Sequence, residues 1–285
     1  SYLNSNNTFN GNGIFTIDMS GFDSWYDNEQ LYSIALQGDN KVIAIGFAND
    51  ILTNTDFALT RINTDGSPDN NFSGDGKLYL SYGQSETNFN KIILQPDGKT
   101  IAIGRTRSGT GYSDFIFAIT RYNNNGTPDN SFDEDGKKSI SFYDQQPCIA
   151  TEVFVQPDNK IVIAGTTQTS NYQTEIGIAK LNPDGSFDET FDGDGKLMLS
   201  LSSLFPGDAA YYSISKIKIL PNGKMLFAGS VQIYSPTYEQ NIFVARLNSN
   251  GSLDETFNGT GKILIDLNSN PDIYFDYDNI TDLAI

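Results

Sequence analysis

The stretch Leu94-Gln95-Pro96-Asp97-Gly98-Lys99-Thr100-Ile101-Ala102-Ile103-Gly104 places a tight turn between apolar residues. An Asp-Gly pair accepts the positive φ of a primed hairpin turn, so the stretch reads as two antiparallel strands joined at Pro96-Asp97-Gly98. The arrangement returns at Val155-Gln156-Pro157-Asp158-Asn159-Lys160 and Leu220-Pro221-Asn222-Gly223-Lys224, with a variant at Leu36-Gln37-Gly38-Asp39-Asn40-Lys41. Asn also tolerates the left-handed conformation, which keeps these copies readable as hairpins. The four lysines stand 58, 61 and 64 residues apart, and each opens a run that ends in glycine, at Gly46, Gly104, Gly165 and Gly229.

A second motif follows each hairpin. Strand-like runs at Asp56–Asn63, Phe117–Arg121, Gly177–Lys180 and Phe243–Arg246 lead to an Asx-Gly turn: Asp65-Gly66, Asn125-Gly126, Asp184-Gly185 and Asn250-Gly251. Asp-x-x-Phe comes next, from Asp69 to Phe72, Asp129 to Phe132, Asp188 to Phe191 and Asp254 to Phe257, and each copy closes on Gly-Lys. With Phe9 counted first, the phenylalanines step by 63, 60, 59 and 66 residues. In the second copy the strands read as A (Leu78–Tyr82), B (Lys91–Leu94), C (Thr100–Gly104) and D (Phe115–Tyr122). Four short strands per unit of about sixty residues is the blade pattern of a β-propeller. No stretch sustains a helical period. The main rival, a parallel β-helix, has shorter rungs and lacks tight Asp-Gly hairpins. The expected fold is therefore all-β: a β-propeller of four-stranded antiparallel blades, about five of them, the last incomplete.

Leu-Gln-Pro-Asp-Gly-Lys, then Asp-Phe-Ala-x-x-Arg, then Asp-Gly-Ser-x-Asp-x-x-Phe-x-Gly-Asp-Gly-Lys resembles the delta-60 repeat family of bacterial β-propellers, over nearly the whole chain from Leu3 to Ile285. The resemblance implies a surface or secreted bacterial protein, often large and modular. It carries over no catalytic residue.

The chain reads as a single domain, 1–285, with repeats at approximately 1–71, 72–131, 132–190, 191–256 and a partial copy at 257–285. It opens just before a strand A at Ile14–Asp18 and ends inside a strand B at Leu283-Ala284-Ile285. We expect it to be the N-terminal part of a longer mature chain whose signal peptide has been removed, with the first strand A closing the ring against the last blade.

Composition narrows the function classes. The formal charge is −17, from 18 Lys+Arg against 35 Asp+Glu. Such a surface repels phosphates, which argues against a nucleic-acid partner. There are no histidines, which removes Ser-His-Asp and Cys-His catalysis and His-ligated zinc. No apolar run approaches the length of a membrane helix, so membrane insertion is not expected. Cys148 is the only cysteine; it reads as a small core residue rather than a nucleophile.

Comparing the repeats with one another separates constant parts from variable ones. The repeated glycines permit close backbone approach in an inner strand. Phe72, Phe132, Phe191 and Phe257 plug the space between blades. Arg61, Arg121, Lys180 and Arg246 pair with the aspartate of Asp-x-x-Phe or with turn carbonyls. The acidic turns Asp129-x-x-x-Asp133-x-Asp135-Gly136 and Asp188-x-x-x-Asp192-x-Asp194-Gly195 gather carboxylates of the kind that hold calcium. They lack the EF-hand spacing and its closing Glu, and other copies replace the acids with Ser73, Asn258 and Thr260. A plain turn is the preferred reading: no catalytic residue, no metal site and no cofactor is expected, calcium being the one ion left to test.

Variation lies in the A-to-B loops (Ser20–Glu29, Gly83–Asn88, Asp144–Ala150, Ser202–Tyr212, Asn268–Asn279) and the C-to-D loops (Phe47–Thr55, Arg105–Ser113, Thr166–Thr174, Ser230–Gln240). In an up-and-down blade both sets emerge on one face, where function on a scaffold resides. They hold Trp25, Tyr26, Tyr112, Tyr143, Tyr172, Phe205, Tyr211, Tyr212, Tyr234, Tyr238, Tyr274, Phe275 and Tyr277. The ligand-contact candidates are Trp25, Tyr26, Tyr112, Tyr143, Tyr172, Tyr211, Tyr234 and Tyr238, since aromatics beside amides and carboxylates stack on sugars or anchor protein interfaces. The expected function is a secreted or cell-surface bacterial binding or scaffold module, not an enzyme, whose partner is a protein, a glycan or further domains of the same polypeptide. The alternatives are a passive spacer or a glycoside hydrolase using a carboxylate pair, with Asp23, Asp27, Glu152, Asp208 and Asp272 as its candidate acids.

Overall fold

The computed structural model describes residues 29–48, 56–80, 87–109, 114–143, 146–169, 173–204, 210–233, 239–266 and 276–277, together with Ile14, Thr16 and Leu283. Four sheets form. The first holds β1 (Glu29–Leu36), β2 (Val42–Ala48), β3 (Asp56–Ile62) and β4 (Lys77–Leu80). The second holds β5 (Asn88–Leu94), β6 (Thr100–Arg107), β7 (Phe115–Tyr122) and β8 (Lys137–Ile140). The third holds β9 (Cys148–Val155), β10 (Ile161–Gln168), β11 (Thr174–Leu181) and β12 (Lys196–Leu199). The fourth holds β13 (Ala210–Ile219), β14 (Met225–Ile233), β15 (Glu239–Leu247) and β16 (Lys262–Ile265). Strands pair in chain order and antiparallel, as in the blades of a propeller.

The sheets are framed differently from the repeats. β4 pairs with β3 from Phe57↔Leu80 to Thr60↔Lys77, and β12 and β16 pair with β11 and β15 in the same way. Each sheet thus consists of B, C, D and the strand A that follows. The cause is local: the D-to-A connector folds back on itself, with Arg61 N donating to Gly76 O and Asp69 N to Arg61 O. Repeat borders at 71/72, 131/132 and 190/191 fall inside this connector, not between sheets.

Each B–C pair carries a β-bulge opposite the repeated glycine. Register slips between Leu31 and Ser33, Phe89 and Lys91, Ala150 and Glu152, and Ile214 and Lys216, leaving Tyr32, Asn90, Thr151 and Ser215 as the extra residues. A bulge bends its strand toward the partner backbone. A Cβ at Gly104, Gly165 or Gly229 would stand 1.9, 1.9 or 1.8 Å from the carbonyl oxygen of Asn88, Ile149 or Ser213. The close approach expected of these glycines is present, and the bulge explains it.

The chain divides into two compact units, Ser1–Ser108 with Ala118–Ser139, and Gly109–Phe117 with Ile140–Ile285. In the first, Ile43, Leu59 and Phe72 pack with Phe89, Ile92, Ala102, Ala118 and Tyr122. In the second, Phe191 joins a core with Val162, Tyr212, Ile214, Phe227 and Phe243. Phe72, Phe132 and Phe191 are buried as expected, whereas Phe257 is only half-buried. Cys148 is a buried free cysteine. Burial pushes its thiol up to about 12, which keeps it protonated and unreactive near neutral pH.

Strand ends differ from the sequence reading. Strands B and C run farther than the apolar runs imply, so the variable loops are shorter. Tyr211 and Tyr212, expected in a loop, lie in β13; Tyr212 is buried and meets Phe243 edge-on, ring centroids 6.5 Å apart. A short 3-10 turn at Ser202–Leu204 precedes β13. β17 (Asp276–Tyr277), placed by sequence in a loop, pairs parallel with Glu239 and Gln240 of β15. Apart from Ile14 and Thr16, the strand expected at Ile14–Asp18 falls outside the described residues, as does the fifth copy beyond Asp266 apart from Asp276, Tyr277 and Leu283.

Candidate functional site

The repeated end of each sheet carries B-to-C and D-to-A turns, and here the charged residues meet. Asp69 Oδ2 accepts from Arg61 Nε at 2.6 Å and from Lys41 Nζ at 2.9 Å. Asp129 holds Arg121 and Lys99 at 2.6 and 2.9 Å. Asp188 holds Lys180 and Lys160 at 3.2 and 2.9 Å, and Asp254 holds Arg246 and Lys224 at 2.5 and 2.7 Å. The other carboxylate oxygen accepts the backbone N–H two residues on, at Asn71, Ser131, Thr190 and Thr256. On its far side each D-strand cation stacks over the plug: Arg61 lies 4.9 Å from the Phe72 centroid, Arg121 4.7 Å from Phe132, Lys180 6.0 Å from Phe191 and Arg246 4.9 Å from Phe257. A single aspartate thereby ties the B–C turn, strand D and the D–A turn together. The pairing with strand D follows the sequence expectation. The second cation, the lysine after the B–C turn, was missed there, although its recurrence in all four copies was the available signal.

These contacts set the carboxylates' ionisation. Burial opposes the charged form of Asp69, Asp129 and Asp188, but hydrogen bonds from Lys41, Lys99, Lys160 and neighbouring hydroxyls or amides, with the charge of the D-strand cation, outweigh it. All three stay below the usual carboxylate range. Hydrogen bonds from Lys224 and Thr256 do the same for Asp254.

In the turns considered for calcium, Asp133 pairs with Lys138 at 2.8 Å, and Asp135 and Asp194 accept the N–H of Lys137 and Lys196. Among the described residues, no cluster of three or more His, Cys, Asp or Glu side chains has the geometry to hold a metal ion.

Two concave sites also lie at repeated ends. In the first unit a groove of about 550 Å³ runs between the turns Leu36–Asp39 and Leu94–Gly98, with Asn124 at its side. In the second unit a groove of about 400 Å³ runs between the turns at Gln156–Asp158 and Leu220–Gly223. Gln37, Gln95 and Gln156 are buried at these positions, and their Oε1 atoms meet no hydrogen-bond donor. The fourth copy carries Leu220 in this place. The glutamine stands in the quoted motif but was not singled out from sequence.

Of the aromatic candidates, Tyr143 is half-buried beyond β8, and its carbonyl accepts from Ser141 Oγ at 2.7 Å. Tyr211 is 51% exposed on β13, opposite Gln232. Trp25, Tyr26, Tyr112, Tyr172, Tyr234 and Tyr238 lie outside the described residues, as do Asp23, Asp27, Asp208 and Asp272. Glu152 is buried in β9. Among the described residues no helix is long and apolar enough to cross a membrane.

Four antiparallel sheets, each closed by the same Lys–Asp–Arg/Lys–Phe arrangement, define a tandem β-propeller repeat protein. The family model described as "Domain of unknown function (DUF5122) beta-propeller" matches residues 37–72, 95–132, 156–191 and 220–257, just over half of the chain, and the chain belongs to this family. Each match runs from the B–C turn position held by Gln37, Gln95, Gln156 or Leu220 to the plug phenylalanine. No curated protein matches the chain. Among solved structures the chain is similar to a protein of unknown function from Dyadobacter fermentans DSM 18053, at 12% identity and TM-score 0.46, covering 82% of this chain and 63% of that one. It is also similar to MPT-4, a mannose phosphorylase from Leishmania mexicana solved with a phosphate ion, at 12% identity and TM-score 0.37, covering 78% of this chain and 65% of that one. The chain spans less than two thirds of either of these proteins.

Proposed function

We propose that this chain is a non-catalytic binding module of a secreted or cell-surface bacterial protein, with delta-60-type repeats, recognising a protein or glycan through its variable loops. The observation that carries this reading is the commitment of the motif's charged groups: each of the four repeated aspartates is taken up by two cations of its own sheet. A group bound in this way in every copy serves the fold. The loops that join strand C to D and strand A to the next B differ between copies, and they carry the aromatic residues. An aromatic ring offers an apolar face for a sugar or a protein anchor without needing an ionised partner.

The test is binding of the labelled chain to glycan and protein arrays, beside a Trp25→Ala/Tyr26→Ala variant. Wild type is expected to give discrete hits that the variant weakens at least tenfold. Silence of the wild type on both arrays would overturn the reading. Turnover on a panel of glycosides would overturn its non-catalytic part.

A further inference from the structure

The groove of the first unit, all of whose lining residues belong to that unit, holds polar groups that the fold does not use. Gln37 and Gln95, one at the start of each B–C turn, keep only 6% and 2% exposure, and both line the groove. Among the described residues no donor reaches either Oε1 atom. The Gln37 amide stands in the groove wall: its Nε2 donates to Asn124 Oδ1 at 3.3 Å, and Asn124 lines the same groove. A buried amide oxygen without a donor costs stability.

The turn does not require that amide. Gln37 N, Gln95 N and Gln156 N each donate at 2.8 Å to the carbonyl of Lys41, Lys99 or Lys160, and Leu220 N donates to Lys224 O at the same distance. The fourth copy therefore builds the same turn with an apolar side chain. A destabilising group kept in three copies, where an apolar residue serves in the fourth, points to a partner that supplies the missing donors.

The charges at the rim select the kind of donor. Asp39 and Asp97 line the groove and are exposed, and no lysine or arginine is among the lining residues. The neighbouring cations turn elsewhere: Lys41 Nζ and Lys99 Nζ lie 2.9 Å from Asp69 and Asp129. Asp39 keeps a looser contact with Lys41, at 3.7 Å, and Asp97 Oδ1 accepts Lys99 N. The groove thus offers amide and carboxylate oxygens with no cation of its own, beside the apolar Leu94 and Pro96. The groove of the second unit has half of this set, with Gln156 and Asp158 on one turn against Leu220 and Pro221 on the other.

We propose that the groove of the first unit binds an arginine side chain of a partner protein. The planar guanidinium supplies several N–H donors, enough to meet the two glutamine oxygens together with a carboxylate. Its apolar stem lies along Leu94 and Pro96. The last torsion of a glutamine side chain is broad, so each amide turns its oxygen toward the groove as the guanidinium enters. The site lies at the repeated end, and it is independent of the binding proposed for the variable loops.

Calorimetric titration of the 285-residue chain at low salt with the blocked peptide acetyl-Gly-Arg-Gly-amide tests this, beside the same peptide with lysine or with citrulline, a neutral isostere of arginine. Wild type is expected to bind the arginine peptide saturably, and the lysine and citrulline peptides at least tenfold more weakly. Gln37→Leu/Gln95→Leu takes the residue of the fourth copy and leaves the net charge unchanged. It is expected to melt no lower than wild type and to lose at least tenfold in affinity. Asp97→Asn, which takes the residue that the fourth copy carries as Asn222, is expected to weaken binding several-fold and keep the turn, since Asn222 Oδ1 accepts Lys224 N as Asp97 accepts Lys99 N. Absence of saturable binding overturns the proposal, and so does a lysine or citrulline peptide bound as tightly as the arginine one. Undiminished affinity of the glutamine variant overturns it too, as general attraction to an acidic surface, and a glutamine variant that melts lower overturns it by showing that the amides serve the fold.

Discussion

The repeated aspartate shows how one residue organises three backbone segments. Asp129 is buried between Lys99 and Arg121, and its second oxygen caps the turn through Ser131 N and Oγ. Breaking a buried ion pair by removing one partner leaves uncompensated charge, and here two cations would lose their acceptor. Asp129→Asn is therefore expected to cost on the order of 3 kcal/mol at neutral pH, read by urea denaturation. The pH dependence follows from the direction of the shift. A carboxylate whose folded pKa lies below its unfolded value of about 4 stabilises the fold fully above that value and loses its contribution as pH falls toward the folded pKa. Asp69, Asp129 and Asp188 all lie on that side. Wild-type stability should thus decline as pH drops from about 5 through 4 and below, and Asp129→Asn should decline less steeply. Parallel pH profiles for the two proteins would show that these partners do not hold the Asp129 carboxyl below its unfolded value.

At the scale of the strand pair, the bulge explains the repeated glycine. Gly165 faces Ala150 where β9 carries the extra residue Thr151, and a Cβ there would lie 1.9 Å from Ile149 O. The obstacle is backbone within a paired strand, so no side-chain rotation relieves it. Overpacking of a rigid site costs about 1–3 kcal/mol and occasionally more. Gly165→Ala is expected at the upper end, near 3 kcal/mol, in thermal or chemical denaturation. A loss under about 0.5 kcal/mol, the level of an ordinary surface substitution, would mean the bulge is readily rearranged.

The same element marks the boundary of what sequence made legible. Asp-Gly turns, apolar runs and Asp-x-x-Phe are local signals, and they located all four sheets. Strand length is set by the partner. β5 begins at Asn88, which pairs with Arg105 of β6, so both strands run past their apolar cores, and polar residues there give no local sign of it. Tyr212 looked like a loop aromatic for this reason. Its burial depends on Phe243 of β15, thirty-one residues away. The Lys99–Asp129 contact, like its counterparts, joins two turns that come together only once the sheet is built. Recurrence could have exposed it, whereas the groove-lining role of Gln37 and Gln95 depends on how two successive sheets sit side by side.

Over the whole molecule, the aspartate contacts redistribute the charge. They engage Lys41, Arg61, Lys99, Arg121, Lys160, Lys180, Lys224 and Arg246, eight of the eighteen basic residues in a chain of net charge −17. The cations left to offset the remaining acids are correspondingly few. Self-repulsion of a highly charged surface destabilises the folded state and is screened by salt, while buried pairs are screened much less. Raising sodium chloride from low to moderate concentration is therefore expected to raise the melting temperature. Calcium offers a sharper version of the same experiment. In the Asp129–Gly136 turn, Asp129 holds Lys99 and Arg121, Asp133 holds Lys138, and Asp135 accepts Lys137 N. An ion would have to compete with these partners for its oxygens. After EDTA treatment, calcium chloride and sodium chloride compared at equal ionic strength should raise the melting temperature alike, as screening alone requires. A saturable gain with calcium beyond that of the sodium salt would show that an ion outcompetes the lysines, and would turn the repeated end from a fold lock into a binding site.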